Sequence, residues 1–374
     1  MEKKTASFTD IIILAGGIGE RLWPASRPDS PKQFMSLPDG VSFIQSSLLR
    51  SLALEPEGRI IIITKRDLLD KTAQSVRELS GRLTVQEQEK LQQSLLIVTE
   101  PFQRHTTAAL VLASRMLELL DGQTHTLLVL TSDHVIAPTE AFVADSRKAA
   151  QAARQDYFVC FAIPPTSPDT GYGYIKAGEA IVPDGSVARI ESFQEKPDLA
   201  TAQQYLASGR YAWNSGMFAF TSSFFLSEVQ KLAPDVYAAF DGLTPPPQEA
   251  TLSGGISFIE GWQSMDEVYE KVPSIAVDKS VAERTNRAAA VKASFSWDDV
   301  GGWDAFEKHF DKNADSTVEV DSKNNFVYSD IPVALCGVED LTVVIKNGRA
   351  LVMKKGASGL MRDVVKAVKE KALN

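Results

Sequence analysis

Five segments, residues 11–14, 60–64, 95–99, 127–131 and 158–162, are apolar with no polar alternation. A strand that is apolar on both faces must be covered on both, which suits a largely parallel sheet sandwiched by helices. Between these segments, residues 106–120 and 139–153 have helical composition, with Thr106 and Thr139 as expected caps. The strand–helix–strand order predicts an α/β, Rossmann-like, doubly wound sheet that takes ligands at the carboxyl ends of its strands.

After Pro164 the pattern changes. GYGYIKAG and VARIESFQEKP read as antiparallel strands, making the sheet mixed, and a helix follows over residues 198–207. Residues 222–270 read as mostly helical, with a break at Pro245 to Pro247. From about residue 316, NNFVYSD, PVALCGVED and TVVIKNGRALVMKK are strand–turn–strand units, and a helix is expected over residues 359–372. The division is therefore a large domain, residues 1–312, and a small β-rich domain, residues 313–374, with the boundary near residues 311–315.

The 374 residues, 44% hydrophobic and 23% charged, can bury a sizeable core without staples. A net charge of −9 argues against nucleic acid as a partner. Anionic ligands need a local concentration of Arg and Lys instead. Two cysteines, Cys160 and Cys336, exclude a disulfide framework. No signal peptide is recognised and the apolar runs are too short to span a membrane, so no membrane partner and a cytoplasmic location are expected.

The first strand runs into LAGGIGERLWPASRPDSPKQF, residues 14–34. Glycine-rich loops usually cradle phosphate, but the Lys-Ser or Lys-Thr of a Walker loop is absent. The third glycine of a dinucleotide fingerprint is replaced by Leu22. What remains is a turn, Gly16, Gly17 and Gly19, whose backbone N–H groups suit an anion. Arg21 supplies a bidentate fork and Lys32 a point charge, and the prolines between them stiffen the loop.

The full string LAGGxGxRLxP followed by PK resembles the signature of the sugar-1-phosphate nucleotidyltransferase family. RLWP and PKQF point to its guanylyl-transferring, mannose-handling branch. TSDHVI, GYGYI, FQEKP, WNSGMF, VDKSVAERT and WDDVGGW are similar to further blocks of that branch, in order, across residues 10–303. The resemblance implies transfer of GMP from GTP to mannose 1-phosphate. A phosphomonoester whose second pKa is near ~6 is already an anionic nucleophile, so positioning and charge neutralisation replace a general base.

Roles follow from the same resemblance. Leu14, Ala15, Gly16, Gly17, Gly19, Arg21, Lys32, Glu100, Arg104, Thr106, Ser132 and Asp133 would bind the nucleotide. Gly173, Glu195, Lys196, Asn214 and Glu283 would take the sugar phosphate, and Arg21, Lys32 and Lys196 would carry the catalytic charge. Asp133 and Asp299 would hold Mg²⁺, with Asp298 as the rival to Asp299. His134 and His105 are read as orienting groups, and His125 and His309 carry no signal. His105, Ala108 and Gly302 depart from the family pattern, which reads Asn, Pro and Ser there. The tail, including GVEDLTVV, resembles the family's short β-helix-like domain and is expected to support a homodimer. No isomerase-type domain is expected to follow it. The alternatives are transfer to another hexose or heptose phosphate, or a catalytically silent regulatory subunit.

Overall fold

The computed structural model describes residues 7–310 and 317–371. The isoleucine-rich and leucine-rich runs become strands with both faces buried: β1 (Asp10–Leu14), β2 (Ile60–Lys65), β3 (Leu95–Glu100) and β4 (Thr126–Thr131). Short β5 (Val135–Ala137) precedes β6 (Phe158–Ile163), β7 (Gly173–Ala180), β8 (Val187–Glu195) and β9 (Tyr211–Thr221). Then come β10 (Ala250–Leu252), β11 (Ile256–Ile259), β12 (Ala288–Lys292) and β13 (Ser296–Asp298).

Eleven of these form one sheet in the order β10-β11-β3-β2-β1-β4-β9-β6-β12-β8-β7. β1 pairs in parallel with β2 and β4, whereas β4–β9, β6–β9 and β7–β8 are antiparallel, so the sheet is mixed as expected. Side-chain alternation explains the double burial. Phe158 and Cys160 join a core cluster with helices His105–Asp121, Ser222–Leu232 and Gln263–Lys271. Phe161 faces the other way, 6.3 Å from Phe142 of helix Thr139–Ala153.

Three expectations fail locally. The two large helices are capped at Arg104 and Pro138 without a side-chain bond, not at Thr106 or Thr139. The Thr106 hydroxyl instead accepts the Val277 N–H at 2.8 Å. Residues 250–259 form the β10–β11 hairpin rather than helix, because Gly254 and Gly255, at φ +89° and +73°, make the tight turn that L side chains resist. The final helix spans Met361–Glu370. The expected domain boundary at residues 311–315 lies outside the described residues.

The chain divides into two compact units. One takes the chain up to Gly16, Ser47–Ser132 and Ile136–Trp297, and so holds the whole large sheet. The other takes Gly17–Ser46, Asp133–Val135 and everything from Asp298 on. Its strands are β14 (Thr317–Val320), β15 (Phe326–Ser329), β16 (Val333–Cys336), β17 (Leu341–Lys346) and β18 (Arg349–Lys354). The β14–β16 and β15–β17 pairs are parallel and β18 closes an antiparallel hairpin on β17. Its core joins Leu22, Ala25 and Met35 of the glycine-loop segment to Trp303, Phe306, Phe326, Val344, Leu351 and Met361.

Candidate active site

In the sheet unit, functional groups collect at carboxyl ends of the parallel strands. β1 ends at Leu14, and the Ala15 N–H bonds the Ile63 carbonyl at 2.8 Å. The Gly16 carbonyl accepts from Gln103 Nε2 at 2.7 Å, and a Cβ at Gly16 would stand 3.5 Å from Glu100 Oε2. Ser132 bonds the Leu14 carbonyl at 3.2 Å. Glu100, the last residue of β3, is buried and receives the Tyr269 hydroxyl at 2.7 Å. Burial pushes its carboxyl up to about 7, against the lowering effect of that hydrogen bond. Arg104 is engaged elsewhere, donating Nε to the Tyr269 carbonyl at 2.8 Å and Nη2 to that of Glu270. Tyr269 has no signal in the sequence pattern beyond an apolar helix face, because its partner lies far away along the chain.

A second group in this unit gathers on β7, β8 and β9. Gly173 stands opposite Glu195 in the ladder, and a Cβ there would come within 2.5 Å of Glu195 Oε2. The glycine is what lets the carboxylate lie across the strand. Glu283 Oε1 accepts the Glu195 N–H at 2.8 Å, and Lys196 Nζ sits 2.9 Å from Glu195 Oε1. Lys196 itself has φ +51°, an uncommon backbone state for a non-glycine residue at a site.

Asn214 donates Nδ2 to Asp278 Oδ1 at 2.9 Å. Asp278 was not among the expected site residues, although it lies within the VDKSVAERT block. Burial first, and then the neighbouring Glu195 charge, push its carboxyl up to about 6. Tyr172 packs edge-on against Trp213 (4.9 Å) and Trp297 (5.2 Å), an aromatic wall beside the same strands.

The charged centre lies in the other unit. Gly19, at φ +70°, has Lys32 so close that any Cβ would overlap the lysine stem. Lys32 is 4% exposed, and its ammonium donates to Asp133 Oδ2 at 3.1 Å and to the Asp299 carbonyl. Burial alone would raise the Asp133 carboxyl, but Lys32 and His134 outweigh it and hold it below the usual range. Arg21 Nη2 stands 3.9 Å from Asp299 Oδ2, and a Cβ at Gly301 would lie 3.0 Å from both of those atoms.

The carboxylate of Asp298 is engaged on both oxygens. Oδ1 accepts the Val300 N–H at 2.7 Å and Oδ2 lies 3.0 Å from His309 Nε2. Burial would raise it, yet these two bonds keep it below the usual carboxylate range. Val300 has φ +45°, so this dyad pins a strained turn. His309, read as silent in the sequence, is the outer member of that dyad, and only the fold brings it there.

The arrangement is two cations interleaved with carboxylates beside a glycine turn, which can bind a polyanion and a hard cation. Among the described residues no group of three or more His, Cys, Asp or Glu gathers that could hold a metal. A hard divalent ion held by one or two carboxylates, with phosphate and water completing the shell, needs no such trio.

A family model for nucleotidyl transferases matches residues 10–316. The chain belongs to the nucleotidyl transferase family. A second model, the MannoseP isomerase/GMP-like beta-helix domain, matches residues 315–368 of this nucleotidyl transferase. The xanthan biosynthesis protein XanB of Xanthomonas campestris is 36% identical over 364 residues, covering 96% of this chain and 73% of that protein. The mannose-1-phosphate guanylyltransferase RfbM of Salmonella typhimurium is 34% identical, covering 96% and 71%. A crystal structure from Thermus thermophilus, described as a mannose-1-phosphate geranyltransferase, aligns with a TM-score of 0.78 at 30% identity, over 96% of this chain and 99% of that one. A divalent metal requirement is general to nucleotidyl transferases.

Proposed function

We propose that the chain transfers GMP from GTP to α-D-mannose 1-phosphate, giving GDP-mannose and pyrophosphate. The observation that carries the reading is buried Lys32, its ammonium shared between the Asp133 carboxylate and the Asp299 carbonyl beside the glycine turn. Relatives named mannose-1-phosphate guanylyltransferase over nearly the whole chain support the choice of base and sugar.

In this reading a sugar-phosphate oxygen attacks the α-phosphorus, the bond to the bridging oxygen of the β-phosphate breaks, and pyrophosphate leaves with that electron pair. Gly16, Gly17 and Gly19 offer backbone N–H groups to the triphosphate, and Arg21 and Lys32 neutralise its charge. Asp133 and Asp299 would hold Mg²⁺, which supplies charge neutralisation at the phosphates when bound. Glu100 accepts from the N1–H and amino group of guanine once ionised, with Tyr269 fixing its rotamer. Glu195, Asn214, Asp278 and Glu283 accept from or donate to mannose hydroxyls, and Lys196 pairs with the sugar phosphate. The working form is a homodimer in the cytoplasm, for which light scattering at twice the chain mass is the check on assembly.

Pyrophosphate release across a matrix of nucleoside triphosphates and sugar 1-phosphates, with and without EDTA, tests base, sugar and metal together. The expected result is release with GTP plus mannose 1-phosphate alone, abolished by EDTA. Equal release with ATP or with glucose 1-phosphate, or turnover undiminished in EDTA, overturns the corresponding part.

A further inference from the structure

Behind the glycine-loop segment, within the unit that carries the C-terminal strands, lies a cavity of about 320 Å³. That volume is at the lower end of small-molecule sites. One wall is Ile18, Trp23 and Arg27, from the stretch between the glycine turn and Lys32. Arg349 of β18 and Val365 and Lys369 of helix Met361–Glu370 line it as well. None of the charged groups around Lys32 lines it.

Its chemistry is that of a ring with an anionic handle. Trp23, Ile18 and Val365 give apolar surface, while Arg27, Arg349 and Lys369 outnumber the lining carboxylates Glu20 and Asp29. Lys369 pairs with Glu20 at 2.6 Å and Arg27 with Asp29 at 3.2 Å, both at exposed positions. Solvent-exposed pairs of that kind contribute little net stability, so an incoming phosphate can displace them.

The cavity is also tied to Lys32. Ser26, another lining residue, donates its hydroxyl to the Gly19 carbonyl at 2.6 Å, and Gly19 abuts the Lys32 stem. The Lys32 N–H bonds the Ile18 carbonyl at 3.1 Å. Anything that settles against Ile18 and Ser26 therefore acts on the backbone that aims Lys32.

We infer that this cavity is an effector site for a nucleoside phosphate, separate from the substrate groups, whose occupancy shifts the glycine-loop segment and hence Lys32. The inference does not depend on which sugar phosphate the enzyme takes.

The test is calorimetric titration of the full chain with GMP, alongside inorganic phosphate and mannose 1-phosphate. A site is expected that Arg349→Ala weakens about tenfold or more while any remaining site keeps its affinity. Filling the cavity by Val365→Trp should remove the same site, which covers the case where one variant does not fold. In kinetics, GMP inhibition against GTP should be mixed in the native enzyme and purely competitive in Arg349→Ala. Binding unmoved by both variants, or GMP binding no tighter than inorganic phosphate, overturns the inference. Lack of turnover with GTP and mannose 1-phosphate would instead count against the proposed function, leaving the site count intact.

Discussion

Glu100 shows how much one side chain decides. Its carboxyl is buried, accepts the Tyr269 hydroxyl, and is pushed by burial up to about 7. The folded-state value lies above the unfolded one, so its contribution to stability is complete below pH ~4.5 and is lost as pH rises through about 7. The loss is on the order of 3 kcal/mol. Glu100→Gln should flatten that slope in denaturant titrations from pH 5 to 8, and an unchanged slope refutes the assignment. If Glu100 reads guanine as the anion, the Michaelis constant for GTP should fall as pH rises from 6 to 8. Inosine triphosphate, which lacks the amino group, should be discriminated against in the native enzyme and not in Glu100→Gln.

Asp298 makes a different argument. Its two bonds hold Val300 at φ +45°, a state costing on the order of 1–3 kcal/mol for a β-branched residue. Asp298→Ala should lower kcat about 10- to 100-fold with little change in either Michaelis constant, since Asp299 is misplaced rather than removed. His309→Gln, which keeps a donor, should recover most of the activity that His309→Ala loses. Arg21 and Lys32 stand out in the glycine-turn string itself, whereas Asp133 and Lys196 enter only through the family resemblance. The fold sets Lys32 on Asp133 and Arg21 by Asp299, and leaves Lys196 on Glu195. Asp298 and Asp299 were not separable, because neighbouring carboxylates differ only in what the fold brings to them. Tyr269 and Asp278 become visible only through contacts made far along the chain, and His309 only through the turn that brings it back onto Asp298.

Among elements, the short helix Trp303–Phe306 shows a cap exchanged between segments. Its N-cap is Gly302, where the family usually carries serine. Ser358 fills the vacated room: a Cβ at Gly302 would stand 3.2 Å from Ser358 Cβ, and the Ser358 hydroxyl accepts the Asp304 N–H at 2.9 Å. An orphan helix donor is thus satisfied from the C-terminal segment. Ser358→Gly should cost about 1 kcal/mol, and Gly302→Ser alone should also destabilise, by crowding Ser358. The double variant should recover at least half of the summed loss in chemical denaturation. Strict additivity would show that the two positions do not compete for one role. The long parallel strands could be read from composition because burial on both faces demands it. The β10–β11 hairpin was missed because helical neighbours masked a two-glycine turn.

For the whole molecule, the family models divide the chain at residues 315–316, yet contacts group residues 17–46 with the C-terminal strands. A core shared by Leu22, Ala25 and Met35 with Phe326, Val344 and Leu351 explains the difference, because the glycine-loop segment has too few apolar residues to bury itself alone. The tail is then part of what holds Lys32 and Arg21 in place. Val344 is fully buried in that core. Val344→Ala removes two methyl groups and leaves a small cavity, costing about 2 kcal/mol. If the unit opens as one body, amide hydrogen exchange should accelerate roughly 30-fold at residues 17–35 as well as around β17, while β1 to β4 keep their protection. Faster exchange confined to residues 326–370 would mean that the glycine-loop segment stands without the tail. Removing the tail would then leave catalysis alone.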